Sequence, residues 1–227
     1  MESIFAITFF CLDDIFSIRI HGFECDISTE EGRSNLVNKV SEIFGSELHC
    51  LVNNVGRNIR KDISNQTEEE YSSMMQTNVD SVYFLCQKFQ TLLANGACSS
   101  HKYSSVVNVA SAAGVQSSGT GAVYGMSKAA VIQFTKILAC EWAKLNIRVN
   151  AVAPWMTMTP MLEEAVREDP SQLDKVKEWT PMNRLATVEE VANPIVFLCM
   201  DCSSYITGQC VGVDGGLTAQ GFQGPCV

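Results

Sequence analysis

Tyr124 and Lys128 stand four residues apart in Tyr-Gly-Met-Ser-Lys, at the head of a segment whose apolar Ala129, Val131, Phe134 and Leu138 keep helical spacing. Residues four apart share a helix face, so a phenol and an ammonium can point into one cleft. A cation there favours phenolate, lowering the tyrosine pKa from its reference of about 10 toward the range of a working proton donor or acceptor. Thirteen residues earlier, Ser111 ends the strand-like run Val-Val-Asn-Val-Ala. A hydroxyl at that place can donate to the same carbonyl oxygen that the phenol protonates. Taken singly, a Tyr-x-x-x-Lys pair arises by chance on solvated helix faces, and a serine at a strand end is an ordinary turn or cap residue.

Such groups need strands that end at the site and helices that turn toward it. Leu48–Val52, Ser105–Val109, Ile147–Val152 and Gln209–Val213 read as buried strands, with Ile18–Cys25 a weaker candidate. Ser28 with Glu31, Thr67 with Glu70 and Thr187 with Glu190 have the spacing of capping boxes that open helices. After Ser28, the residues Leu36, Val37, Val40, Ile43 and Phe44 keep helical spacing until Gly45. Pro194 falls inside the helix opened by Thr187, where it predicts a kink. Strand and helix in alternation give an α/β fold with a parallel sheet covered on both faces, whose ligands sit beyond the carboxyl ends of the strands.

With 227 residues, 46% hydrophobic and 18% charged, the chain has the composition of one globular domain. A net charge of −9 argues against nucleic acid or an anionic membrane as a partner and leaves small molecules. The ten cysteines are scattered through apolar segments and read as reduced core thiols. Cys199 and Cys202 form the one Cys-x-x-Cys, with no second pair or histidine cluster to complete a zinc site, so no metal is expected. The apolar run Ile4–Leu12 has no preceding basic residue and is too short for a bilayer, which predicts a cytoplasmic protein.

Ser111, Tyr124 and Lys128 at this spacing, with Asn-Asn-Val-Gly at Asn53–Gly56 and the glycine-rich stretch Tyr205–Gly216, together resemble the short-chain dehydrogenase/reductase family. The resemblance runs from about Gly22 to Ala219 and takes in Ile147–Pro154 and Arg184–Ala192. The stretches beginning at Asn53, Leu138 and Ala153 are most similar to plant tropinone reductase-like enzymes. It implies a Rossmann-like doubly wound sheet and NAD(P)(H)-dependent interconversion of a ketone and a secondary alcohol, NADP(H) being favoured over NAD(H) by analogy. Tyr124 would be the general acid or base, Lys128 would lower its pKa and hold the nicotinamide ribose, and Ser111 would polarise the carbonyl. Asn78 corresponds to the asparagine that supports a proton relay, a role compatible with bonding local backbone at a helix irregularity. Asp26 and Ile27 would meet the adenine, Asn53 and Gly56 the adenosine ribose, and Thr159 the nicotinamide carboxamide. A homodimer or tetramer would form through the helices after Thr67 and around Tyr124–Ala143.

The family's opening strand, its Thr-Gly-x-x-x-Gly-x-Gly turn and the helix that receives the pyrophosphate have no counterpart in this sequence, whose first glycine is Gly22. The expectation is an N-terminally truncated Rossmann-like domain over residues 20–227, lacking the first two strands and the glycine-rich turn, behind a non-family segment 1–19. Ile4–Phe10 is a candidate substitute strand beside Leu48–Val52, whose edge would otherwise stay unpaired. Weakened cofactor binding follows, and with it an alternative: a non-catalytic member that associates with full-length relatives. Met156, Met158, Met161, Leu162, Trp179 and Met182 lie where the family caps its substrate. They point to a small apolar ketone or alcohol, or simply to packing of a surface helix.

Overall fold

The structure, a computed structural model, describes residues 9–13, 17–99, 103–159, 162–163, 166–167 and 169–220. Its first two strands, β1 (Phe9–Asp13) and β2 (Ser17–His21), pair antiparallel with each other from Phe9↔His21 to Asp13↔Ser17. Helix α1 (Glu30–Phe44) leads to β3 (Cys50–Asn53), and α2 (Glu68–Met75) passes through a π-helical turn, Gln76–Asp80, into α3 (Ser81–Ser99). Then come β4 (Ser104–Val109), α4 (Ala122–Trp142), β5 (Ile147–Pro154), the short α5 (Asp174–Trp179), α6 (Val188–Cys199) and β6 (Cys210–Val213).

Strands β3, β4, β5 and β6 lie side by side in that order, all parallel. The period of two along each strand decides what every residue faces. Leu51, Val106, Val149 and Ala151 point into a core with Leu85, Phe89 and Leu93 of α3 and Val131 and Leu138 of α4. Val52, Val107 and Val152 point the other way, toward Ile195 and Leu198 of α6. Both faces are thus covered, as a parallel sheet of continuous apolar strands requires. Among the described residues no helix is long and apolar enough to cross a membrane.

Two of the three capping boxes form as read, at Thr67/Glu70 and Thr187/Glu190, and α6 runs on through Pro194. Ser28 is different. Its amide and hydroxyl both bond to Asp26 Oδ1, at 3.0 and 2.6 Å, so Thr29 takes over as N-cap and accepts from Gly32. Ile18–Cys25 is also corrected: the strand ends at His21 and belongs to the separate hairpin, not to the parallel sheet. Its partner β1 is a few residues away, so little loop entropy opposes that pairing. Of the proposed substitute strand, residues 4–8 lie outside the described residues, and Phe9 and Phe10 pair with His21 and Ile20 rather than with β3. Among the described residues β3 is hydrogen-bonded to β4 alone.

Candidate active site

Strand β4 delivers Ser111. Beyond it, Ser111 caps a one-turn 3-10 helix, Ala112–Gly114, accepting from the Ala113 amide at 3.2 Å. Gly114 lets this turn rest directly on α4, because a Cβ there would lie 2.6 Å from the Lys128 carbonyl carbon and 2.7 Å from the Ala129 nitrogen. That close approach brings the Ser111 hydroxyl into hydrogen bonding with the Tyr124 phenol.

Lys128, one turn along α4, is only 4% exposed. Its Nζ donates to the Val109 carbonyl at 2.8 Å and lies 5.8 Å from the centre of the Tyr124 ring. Asn78 arrives from the π-helical turn between α2 and α3. Such one-residue insertions re-aim a side chain out of a helix's regular faces. Here Asn78 accepts from the Arg57 amide at 2.8 Å and donates to the Arg57 carbonyl at 2.9 Å and to Ser127 Oγ at 3.0 Å. Ser127 in turn donates to the Tyr124 carbonyl at 2.8 Å. The loop after β3 is therefore tied through Asn78 to the turn of α4 that carries the tyrosine. At Gly56 a Cβ would stand 3.1 Å from Lys128 Nζ and 3.4 Å from Asn78 Oδ1, so the absent side chain lets the loop after β3 pack closely against the ammonium.

Burial pushes the Tyr124 phenol above its ordinary value, opposed by the Ser111 hydrogen bond and then by the positive charge of Arg60. The Lys128 ammonium donates to the Val109 carbonyl and lies over the face of the ring, and burial pulls its own pKa from 10.5 to about 8. Arg60, the residue that sequence reasoning missed, lies in the loop after β3, with its guanidinium 3.8 Å from Met156 Sδ. The available signal was its place in the Asn53–Lys61 stretch, directly downstream of a strand end.

Asp26 is exposed, with its carboxylate bonded to Ser28, and Ile27 is buried in the same core as Leu51. Asn53 is buried, and its side-chain amide nitrogen donates to Asn108 Oδ1 at 2.8 Å and to Cys86 Sγ at 3.4 Å. Thr159 caps a turn by accepting from the Leu162 amide at 3.2 Å. Met156, Met158 and Leu162 pack with Val166, Leu173 and Leu185 in a small core of their own. An open cavity of about 780 Å³ is lined by Arg60, Lys61 and Asp62 together with Ala113 and Gly125, the last of these next to Tyr124 in the chain. Lys61 is paired with Glu70. Among the described residues no cluster of His, Cys, Asp or Glu is arranged to hold a metal ion.

A parallel sheet wrapped by helices, with a serine, a tyrosine and a lysine gathered beyond the carboxyl end of β4, defines a Rossmann-like α/β protein. The sequence model of the family described as enoyl-(acyl carrier protein) reductase matches residues 14–218. A chloroplastic tropinone reductase homolog of Arabidopsis thaliana is 44% identical over 214 residues, 93% of this chain and 65% of that protein. A tropinone reductase homolog of Datura stramonium is 42% identical over 208 residues, 90% and 75% of the two chains. Among solved structures, a variant of ElxO with NADPH bound superimposes with a TM-score of 0.80 at 29% identity, covering 87% of this chain and 78% of that one. The Pseudomonas aeruginosa RhlG/NADP complex gives 0.79 at 31% identity, covering 86% and 75%. The chain belongs to the short-chain dehydrogenase/reductase family and is tropinone reductase-like.

Proposed function

We propose that this chain is an oxidoreductase that interconverts a small ketone and its secondary alcohol with NADP(H) or NAD(H), Tyr124 moving the proton. The observation that carries the reading is the meeting of Ser111, Tyr124, Lys128 and Asn78 from three separate elements, with Gly56 close against Lys128 and Asn78. In the reducing direction the Tyr124 phenol donates its proton to the carbonyl oxygen, and the Ser111 hydroxyl donates a hydrogen bond to the same oxygen. The phenolate left behind is stabilised by the charge of Arg60. Asn78 and Ser127 hold the tyrosine's turn in place.

The residues present fit the nicotinamide end of such a cofactor: Lys128 beside Gly56 would take the ribose and Thr159 the carboxamide. Asp26, Ile27 and the Asn53 main chain would meet the adenosine end. The cofactor, when bound, supplies the hydride. The diphosphate has poorer support. Among the described residues the helix start nearest that end, α1, is already capped by Thr29 and carries Glu30 and Glu31 in its first turn, which repel phosphate. NADPH and NADP in the ElxO and RhlG structures support NADP(H) as the preferred form. The reading includes a homo-oligomer formed along α3 and α4, where Tyr83 and Ile137 are nearly half exposed.

Calorimetric titration with NADPH and with NADH tests the reading. Binding that is lost in Lys128→Met supports it. A folded chain that binds neither overturns it in favour of a non-catalytic member pairing with full-length relatives, which the one-sided pairing of β3 and the acidic start of α1 favour.

A further inference from the structure

Three cysteines that the site does not use gather at the opposite end of the sheet, where β3 begins and α6 ends. Cys50 Sγ lies 3.7 Å from the Cys199 carbonyl oxygen, and the two thiols are hydrogen-bonded to each other. Both are partly buried. The end of α6 is fixed against the sheet at this point. Ser105, the register partner of Cys50, donates to the Leu198 carbonyl at 2.8 Å, and Arg148 donates to the same carbonyl at 2.8 Å and to that of Met200 at 3.3 Å. Arg148 is 5% exposed, and its Nε has no hydrogen-bond partner among the described residues. Its charge acts on Cys199 and Cys50, and then on Asp201 and Cys202. A cation buried beside thiols, with a donor unspent, is the setting in which a thiolate forms.

The two sulfurs are not equivalent. The Cys199 thiol and Arg148 lower the pKa of Cys50, outweighing burial and the nearby Asp201, while Cys199 is pushed up by its interaction with Cys50 and by burial. Cys202, on the exposed side of the following turn, is the alternative partner for Cys199 offered by the sequence motif. No group of His, Cys, Asp or Glu here is arranged to hold a metal among the described residues, which leaves sulfur chemistry.

We propose that Cys50 and Cys199 are a reversible thiol pair that closes to a disulfide on exposure to a hydroperoxide. The Cys50 thiolate attacks the peroxide: an S–O bond forms, the O–O bond breaks, and hydroxide leaves, giving a sulfenic acid. The Cys199 sulfur then attacks the Cys50 sulfur, the S–O bond breaks, and the hydroxide released takes the Cys199 proton to form water. Two thiols lose two electrons and the peroxide gains them. The bond joins residues 149 apart in sequence and staples the edge strand β3 to the end of α6. A small dithiol reverses it.

The test oxidises the reduced protein with hydrogen peroxide, blocks residual thiols with N-ethylmaleimide, and maps linked peptides without reduction. A protease that cuts before Asp201 separates Cys199 from Cys202. The expected product is a Cys50–Cys199 link, at least tenfold above any link to Cys202, that survives Cys202→Ser. Dimedone, which captures sulfenic acids, is expected to label Cys50 in Cys199→Ser, with circular dichroism checking that the variant folds. A Cys199–Cys202 link as the main product overturns the proposal, as does a Cys50 that is still blocked by N-ethylmaleimide after oxidation. Because the mapping is done on the unmodified chain and needs no turnover, its outcome is independent of the oxidoreductase reading.

Discussion

Replacing Lys128 with methionine is expected to make the protein more stable at neutral pH and less stable at high pH than the parent chain. Lys128 is buried, and its pKa falls from 10.5 to about 8. At 1.36 kcal/mol per unit, holding the charged form inside costs roughly 3 kcal/mol. Because the folded value lies below the unfolded one, that cost is full below pH ~8, shrinks as pH rises between the two values, and is gone above the unfolded one. Methionine removes it but leaves the Val109 carbonyl without its 2.8 Å donor, a loss of about 1–2 kcal/mol. The variant should gain roughly 1–2 kcal/mol at pH 7. At pH 10 the parent has shed most of the cost and the variant should be the weaker of the two. Urea unfolding of both proteins, followed by far-ultraviolet circular dichroism at pH 7 and pH 10, reads this directly. Equal destabilisation of Lys128→Met at both pH values would refute the reasoning. The expected gain in stability with loss of cofactor binding would mark Lys128 as a group kept for function.

Arg60→Leu should raise the Tyr124 pKa, since the guanidinium favours phenolate, so the rising limb of the pH–rate profile for alcohol oxidation should move to higher pH; an unmoved limb would show that the charge is not felt. Gly114→Ala places a methyl group 2.6 Å from the Lys128 carbonyl carbon, so thermal unfolding should show a loss of about 2 kcal/mol or more, with turnover falling as Ser111 is pushed away from Tyr124. Asn53→Leu leaves Asn108 Oδ1 buried without its donor, and urea unfolding should show a loss of about 1–3 kcal/mol; unchanged stability would show that the rung between the strands is not needed.

The four strands of the parallel sheet were legible because each is a short apolar run bounded by turn residues. Their ends fell within two residues of the expected ones. Ser111, Tyr124 and Lys128 were legible as a group because their spacing fixes where they sit on a strand end and a helix face. What the sequence could not carry was direction and competition. Whether Lys128 faces the phenol oxygen or the Val109 carbonyl depends on where β4 ends relative to α4, a contact between segments far apart in the chain. That Asn53 also forms a rung between strands follows from its register with Asn108, which the sequence does not show. Ser28 has the spacing of a cap, but Asp26, two residues earlier, competes for its hydroxyl and wins. The Cys50–Cys199 contact joins β3 to α6 across most of the chain, and no local pattern points to it.

The proton-donating role of Tyr124 is tested most directly by following NADPH oxidation with a panel of small ketones, using the chain and its Tyr124→Phe variant, with NADPH affinity measured for both. Phenylalanine keeps the ring and removes only the hydroxyl bonded to Ser111. The expected result is turnover of at least one ketone, a fall in kcat of about 10²–10⁴-fold in the variant, and unchanged NADPH binding. Undiminished turnover by Tyr124→Phe, or no turnover by a parent chain that is folded and binds NADPH, would contradict it.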